Sequence, residues 1–356
     1  MARARFVMEQ HLGHRSYYEN LRSHLENDAA LDTSWVPVTY TRVGHGRQLP
    51  FDNGVVRGRT EVVQGLWSTP FDVAFFNTQV PAVLAGRALQ GKPFVISTDI
   101  TPTQYDDMAE HYGHSPDRFP PLQRAKHAVN ARRFQQAAMI VPWSNWVRDS
   151  LIDDYGVSPE RIEVLAPGVD LAKWQPEPTR RDERRYRILF VGGDFARKGG
   201  EQLLAAFGRL DVEGAELHIV TRDDVSAGNG VFVYNDFSPN DPGLMELYQS
   251  CDVFAFPTRA EAFGVAAVEA CAMTLPVIGT GIGGSADIVI DGETGVRVAP
   301  DSVDELEQAL RVLSDFDVRS RMGAVARERA ERYFDAEKQA RRLSQILRQA
   351  ATAEAA

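Results

Sequence analysis

The chain has 356 residues, 44% of them apolar and 25% charged, with a formal net charge of −10. That length exceeds one comfortable core and suits two domains. The acidic balance excludes the basic footprint of a nucleic-acid binder, and no apolar run of eighteen residues occurs to suggest a membrane span. Charge is uneven: residues 1–170 hold 17 Lys+Arg against 19 Asp+Glu (−2), and the remainder 22 against 30 (−8).

Short apolar runs alternate with helical patterns along most of the chain. Phe6-Val-Met opens it, on an N-terminus whose apolar stretch is too short for a signal peptide. A helix is expected over Ser16–Glu26, with Ser16 as N-cap and Glu19 completing a capping box. Further strands are expected at Asp72–Phe76, Pro93–Ser97, Ala138–Val141 and Ile162–Leu165, and a helix at Asn145–Tyr155. The Arg-rich stretch Arg124–Arg133 reads as a solvated helix face, with contact to a membrane surface or anionic acceptor as the alternative.

Pro167-Gly168 is a turn, and Trp174–Arg185, rich in proline and then charge, reads as a linker. A second alternation follows. Strands are expected at Tyr186–Gly192, Glu216–Thr221, Asp252–Pro257 and Pro276–Gly279. Helices are expected at Glu201–Leu210, Gly243–Ser250 and Phe263–Met273, and one terminal helix over 327–350. This rhythm predicts an α/β protein of two Rossmann-like, doubly wound domains. Each such sheet binds ligands at the carboxyl ends of its strands, so a cleft between two of them is the expected site. Cys251 and Cys271, without metal-type spacing, read as buried reduced thiols of a cytoplasmic protein.

Two segments carry chemistry. In Phe190-Val-Gly-Gly-Asp-Phe-Ala-Arg-Lys-Gly-Gly200 a strand runs into Gly192-Gly193, where the backbone can come close to a ligand. Arg197 and Lys198 then stand beside a helix start, itself an anion site. The spacing is neither a dinucleotide fingerprint nor a P-loop. In the second segment Glu261 lies in a loop, the amides of Phe263, Gly264 and Val265 open a helix, and Glu269 lies inside an apolar stretch where a carboxylate needs a partner. Treated as eight helical residues, Glu261 and Glu269 stand about 12 Å apart. That exceeds the spacing of a hydrolytic carboxylate pair and suits hydroxyl binding at two ends of an extended ligand. Asp315-x-Asp317 reads as chance, and nothing in the pattern requires a metal.

Glu261-x7-Glu269 with Phe263-Gly264, the Gly192–Gly199 segment, Gly283-Gly284 and Asp291-Gly-Glu-Thr-Gly295 together resemble the retaining nucleotide-sugar glycosyltransferases of family four. The resemblance implies the GT-B fold: an acceptor domain over 1–170, a donor domain over 171–330, and a helix over 331–356 packing back on the first domain. It implies that Arg197 and Lys198 bind the donor diphosphate and Glu269 the ribose hydroxyls. Glu261 and the Phe263–Val265 backbone would meet the sugar and distal phosphate, and the base would lie near Thr221 and Asn235–Pro239. Gly13 would lie over the phosphates, with His14 and Arg15 within reach and Gly193 lining the site. The implied donor is a nucleotide sugar, UDP-sugar ahead of GDP- or ADP-sugar, used as substrate with no resident cofactor. The implied acceptor is a saccharide, natural product or lipid-linked hydroxyl.

Departures from the pattern are Thr274 where the family has glycine, Asp287 where it has glutamate, and Thr98-Asp99 where many relatives carry a histidine. Asp99 therefore reads as a contact to sugar or acceptor, or as a plain turn residue. A sugar-nucleotide epimerase, a phosphorylase of related fold, or a non-catalytic sugar-nucleotide binder would share the phosphate site.

Overall fold

A computed structural model describes residues 1–10, 13–40, 54–89, 91–177, 185–238 and 240–353. The chain divides into two compact units: unit 1 holds Met1–Asp107, Ser115–Pro167 and Ala336–Ala356, and unit 2 holds Met108–His114 and Gly168–Asp335.

Unit 1 runs β1 (Ala2–Glu9), α1 (Gly13–Leu25), β2 (Leu31–Val38), α2 (Gly54–Trp67), β3 (Val73–Phe76), α3 (Gln79–Ala85), β4 (Phe94–Thr98), α4 (Pro102–Asp107), α5 (Pro120–Gln136), β5 (Met139–Pro142) and α6 (Asn145–Asp153). Its sheet is parallel, in the order β2-β1-β3-β4-β5. The central strands are buried on both faces, which is why Val73–Phe76 and Phe94–Ser97 are continuously apolar or small.

Unit 2 runs β6 (Tyr186–Val191), α7 (Gly200–Phe207), β7 (Ala215–Val220), β8 (Val231–Tyr234), α8 (Pro242–Ser250), β9 (Val253–Phe256), α9 (Val265–Ala272), β10 (Val277–Gly279), β11 (Gly295–Arg297), α10 (Val303–Leu313) and α11 (Phe316–Tyr333). Its parallel sheet has the order β11-β10-β9-β6-β7-β8. The order turns back between β6 and β9, which makes their carboxyl ends the switch point of the sheet. The last helix, α12 (Ala336–Ala353), belongs to unit 1, where it packs against α1 and β3. The two parallel α/β units are those of the expected fold class.

Several local expectations need correction. Ile162–Leu165 is not a strand; it meets β5 only through an Ile140–Ile162 bridge and two backbone bonds. Pro142, opposite it, has no N–H to return. The expected terminal helix is two helices. Phe334 (φ −128°, ψ 22°) ends α11, buries its ring against Phe263, and accepts the Val169 amide at 2.9 Å. The chain leaves unit 2 one residue later. Ser16 is not an N-cap, because α1 already starts at Gly13; Glu19 pairs with Arg15 instead. Strands β2, β8 and β11 form where the pattern predicts none. Trp174 is not part of a solvated linker: it is buried, with Tyr248 edge-on at 5.2 Å. Residues 178–184 of that linker lie outside the described residues.

Other expectations hold in particular ways. Cys251 and Cys271 are buried free thiols. Residues 118–129, spanning the first half of α5, are exposed throughout. Asp315 has a plain role: its carboxylate caps α11, accepting from Asp317 N and Val318 N. Thr274 holds φ +60°, so the family's glycine marks a left-handed position that a β-branched residue occupies at a cost of about 1–3 kcal/mol.

Candidate functional site

The sequence-derived candidates fall into two groups. Gly193, Arg197, Lys198, Glu261, Phe263, Gly264, Val265 and Glu269 belong to unit 2, whereas Gly13 and Asp99 belong to unit 1.

In unit 2 the site is built from loops that leave β6, β9 and β10. The first, Gly192–Gly199, is tied internally by Asp194, whose carboxylate accepts from Arg197 N at 3.1 Å and Arg197 Nε at 3.0 Å. Arg197 Nη1 reaches across to the Ala260 carbonyl at 2.8 Å, and Arg259 N donates back to Arg197 O at 2.9 Å. Gly199 (φ +77°) lies so close to β9 that a Cβ there would stand 2.0 Å from the Pro257 carbonyl. Gly283 (φ +60°), after β10, is equally confined: its Cβ would stand 1.9 Å from the Glu261 carbonyl, and Gly284 N donates to Ala262 O at 3.0 Å. Two glycines thus let backbone rest on backbone on either side of the Pro257–Gly264 loop. Gly193 differs. The space beside it is open, so no neighbour in the fold requires glycine there.

Lys198 Nζ forms an ion pair with Glu261 Oε2 and sits 4.9 Å from the centre of the Phe256 ring. Both partners are mostly buried, with side chains 14% and 10% exposed, so water screens the pair little. Phe263 is buried, and Gly264 (φ +105°) is the N-cap of α9, backed by Phe256. The first bond of the helix runs from Ala267 N to Gly264 O, so the amides of Val265 and Ala266 precede the ladder and stand at its positive end.

Glu261 and Glu269 are not joined by one continuous helix. Helix α9 starts at Val265, so only the last four of the seven residues between them are helical, and the helix rises only about 6 Å from Val265 to Glu269. Glu269 follows Val265 by four positions and lies on the same helix face. Its partner is Tyr248, whose hydroxyl donates to Glu269 Oε2 at 3.1 Å. Burial pushes the Glu269 carboxyl up to about 7, and the Tyr248 hydrogen bond opposes that rise. Folded protein therefore holds this proton between roughly the ordinary carboxylate value and 7, where unfolded chain has lost it. The resulting stability is full at low pH and is lost as pH rises through 7. Glu269→Gln should abolish this loss. Its Tm relative to wild type is expected to climb between pH 5 and pH 8, and a constant difference would refute the assignment.

The loops after β7 and β8 join the same edge: Phe195 N donates to Asp223 Oδ2 at 2.7 Å, and Asn235 Nδ2 to Thr221 O at 3.0 Å. Pro239 lies outside the described residues. In unit 1, Gly13 opens α1, and Asp99 follows β4. Asp99 Oδ2 lies 3.6 Å from His14 Nε2, and the His14 ring stands 5.3 Å from Trp143. Arg15 instead faces outward to Glu19.

Sequence reading missed Asp194 and Tyr248. Only Asp194 carried a signal, its i, i+3 spacing to Arg197. Among the described residues there is no cluster of three metal-ligating side chains and no helix long and apolar enough to cross a membrane.

Two parallel-sheet units in this order define a GT-B protein, and solved structures agree on the fold. Sucrose-phosphate synthase of Thermosynechococcus elongatus superposes with a TM-score of 0.79 at 18% identity, covering 99% of this chain and 100% of that one. Anabaena HepE, solved with UDP, gives 0.73 at 16% identity, covering 98% and 100%. Residues 173–329 match the family model of glycosyl transferases group 1, and residues 26–173 that of glycosyltransferase family 4. The chain belongs to this glycosyltransferase family. A D-inositol 3-phosphate glycosyltransferase of Corynebacterium aurimucosum is 31% identical over 223 residues, 55% of this chain and 53% of that protein. The chain spans about half the length of the curated relatives it matches.

Proposed function

We propose that this protein transfers a sugar, with retention at the anomeric carbon, from a nucleoside-diphosphate sugar to a hydroxyl acceptor. The observation that carries the proposal is the convergence, at the switch point between β6 and β9, of Arg197, Lys198 and the amino end of α9. Two cations and a helix dipole at one strand edge are a site for a diphosphate. Breaking the bond between the anomeric carbon and the phosphate oxygen moves an electron pair onto the diphosphate. Arg197, Lys198 and the Val265 amide would stabilise that charge, so the reaction calls on no metal ion. The acceptor oxygen bonds to the anomeric carbon from the same face, and its proton passes to the departing phosphate.

Glu261 would bind sugar hydroxyls while holding Lys198, Glu269 would accept from the ribose, and the open space at Gly193 would admit ligand against bare backbone. From unit 1, Gly13 would lie over the phosphates, and Asp99, with His14 beside it, would serve sugar or acceptor. UDP is the first donor base to test, a choice supported by the UDP complex of a protein of like fold. A saccharide, natural product or lipid-linked molecule would accept, the last bringing the protein to a membrane surface. Two buried reduced thiols support a reducing, cytoplasmic location.

The test is the melting temperature with saturating UDP, GDP, ADP or NAD. A ligand at about 100 times its Kd stabilises by roughly 2.7 kcal/mol, a rise of several degrees. A rise with one nucleoside diphosphate alone supports the proposal and names the base. A rise with NAD alone, or with none of the four, would overturn it.

A further inference from the structure

The segment Met108–His114 lies between two stretches of unit 1, yet it groups with unit 2. It is a closed turn: His111 N and Tyr112 N donate to Met108 O at 3.1 and 3.3 Å, and His114 N to Ala109 O at 3.0 Å, with Gly113 at φ +61°. This turn meets the phosphate loops at two points. The Met108 methyl carbon lies 3.5 Å from where a Cβ on Gly283 would stand, and the Arg197 guanidinium carbon lies 4.9 Å from the centre of the Tyr112 ring.

Arg197 is thereby held on three sides. Asp194 takes Nε, the Ala260 carbonyl takes Nη1, and the Tyr112 ring lies against the guanidinium. The carboxylate and the carbonyl fix two points of the planar group, at Nε and Nη1. They do not fix rotation of its plane, which is what an aromatic ring in van der Waals reach does through the cation–π attraction. The Nη2 end is then the part of the fork left for an anion.

We propose that Tyr112 is a positioning residue of the diphosphate site, orienting the Arg197 guanidinium so that its outer donors meet a phosphate. The proposal rests on the nucleotide-sugar reading above. It assigns a role to a residue far from the glycine loops in sequence, on the connection that begins just after Asp99. The ring is the working part, because it is the ring that lies over the guanidinium.

Isothermal titration of the full chain with UDP, GDP and ADP, each beside its monophosphate, tests this. The ratio of diphosphate to monophosphate affinity reads the phosphate contact, whereas general loosening of the site would weaken both alike. Tyr112→Leu is expected to weaken the bound diphosphate about 5- to 10-fold and the monophosphate less than about 2-fold, and Tyr112→Phe to restore wild-type values. In an Arg197→Ala background, Tyr112→Leu should have no further effect, since the two act as a unit. An unchanged ratio in Tyr112→Leu, failure of phenylalanine to rescue, or additivity with Arg197→Ala overturns the proposal while leaving the nucleotide site intact. If wild-type protein binds none of the diphosphates, the nucleotide reading falls and this one with it.

Discussion

Replacing Lys198 with alanine is expected to lower kcat about 100- to 1,000-fold, the usual loss when one preorganised donor to a developing oxyanion is removed. Lys198 is placed by three separate features. Gly192 leaves room for its stem, the Phe256 ring lies beneath its ammonium, and Glu261 holds one of its three donors. The remaining donors can meet a phosphate oxygen without breaking the pair. Removing the ammonium also strands the nearly buried Glu261 carboxylate, so some loss of stability accompanies the loss of rate. Lys198→Ala combined with Glu261→Gln separates the two effects: stability should recover, and the rate should not. The readout is nucleotide released from the sugar nucleotide that binds. A rate within about threefold of wild type would remove Lys198 from the proposed chemistry.

The second large effect is structural and lies in a residue with no side chain. Gly283→Ala combines a left-handed backbone, costing about 1–2 kcal/mol for an L residue, with a Cβ that would stand 1.9 Å from the Glu261 carbonyl. A backbone oxygen cannot swing away as a flexible side chain would, so the loop bearing Glu261 must shift, adding about 1–3 kcal/mol. A drop in Tm of about 5 to 10 °C is expected, together with weaker nucleotide binding. Gly292→Ala is the matched control. Gly292 has φ +74°, but nothing lies within 4 Å of its would-be Cβ, so only the backbone cost applies. Equal losses in the two variants would show that the Gly283–Glu261 contact does not hold the site together.

The amino-acid sequence alone determined the alternation of strands and helices, and hence two parallel sheets. It also brought out the groups proposed to handle phosphate. Gly192-Gly193, Arg197-Lys198 and Phe263-Gly264 sit at fixed short offsets from strand ends, because a phosphate cradle needs bare backbone, cations and a helix start within a few residues. Such signals are local, so pattern reading finds them. It was least dependable where partners decide local structure. Ile162–Leu165 has strand-like residues but faces a proline, β11 is three residues long and held by β10, and the helix expected through Phe334 breaks because that ring and carbonyl are claimed by Phe263 and Val169. Tertiary structure alone decided how the candidates work together. Lys198 meets Glu261 from 63 positions away, Tyr248 reaches Glu269, Gly283 lies beneath Glu261, and Tyr112 rests on Arg197. The Tyr248–Glu269 bond joins helices α8 and α9, and the other contacts join separate loops. Their geometry follows from which strands are neighbours in the sheet, which no local periodicity records.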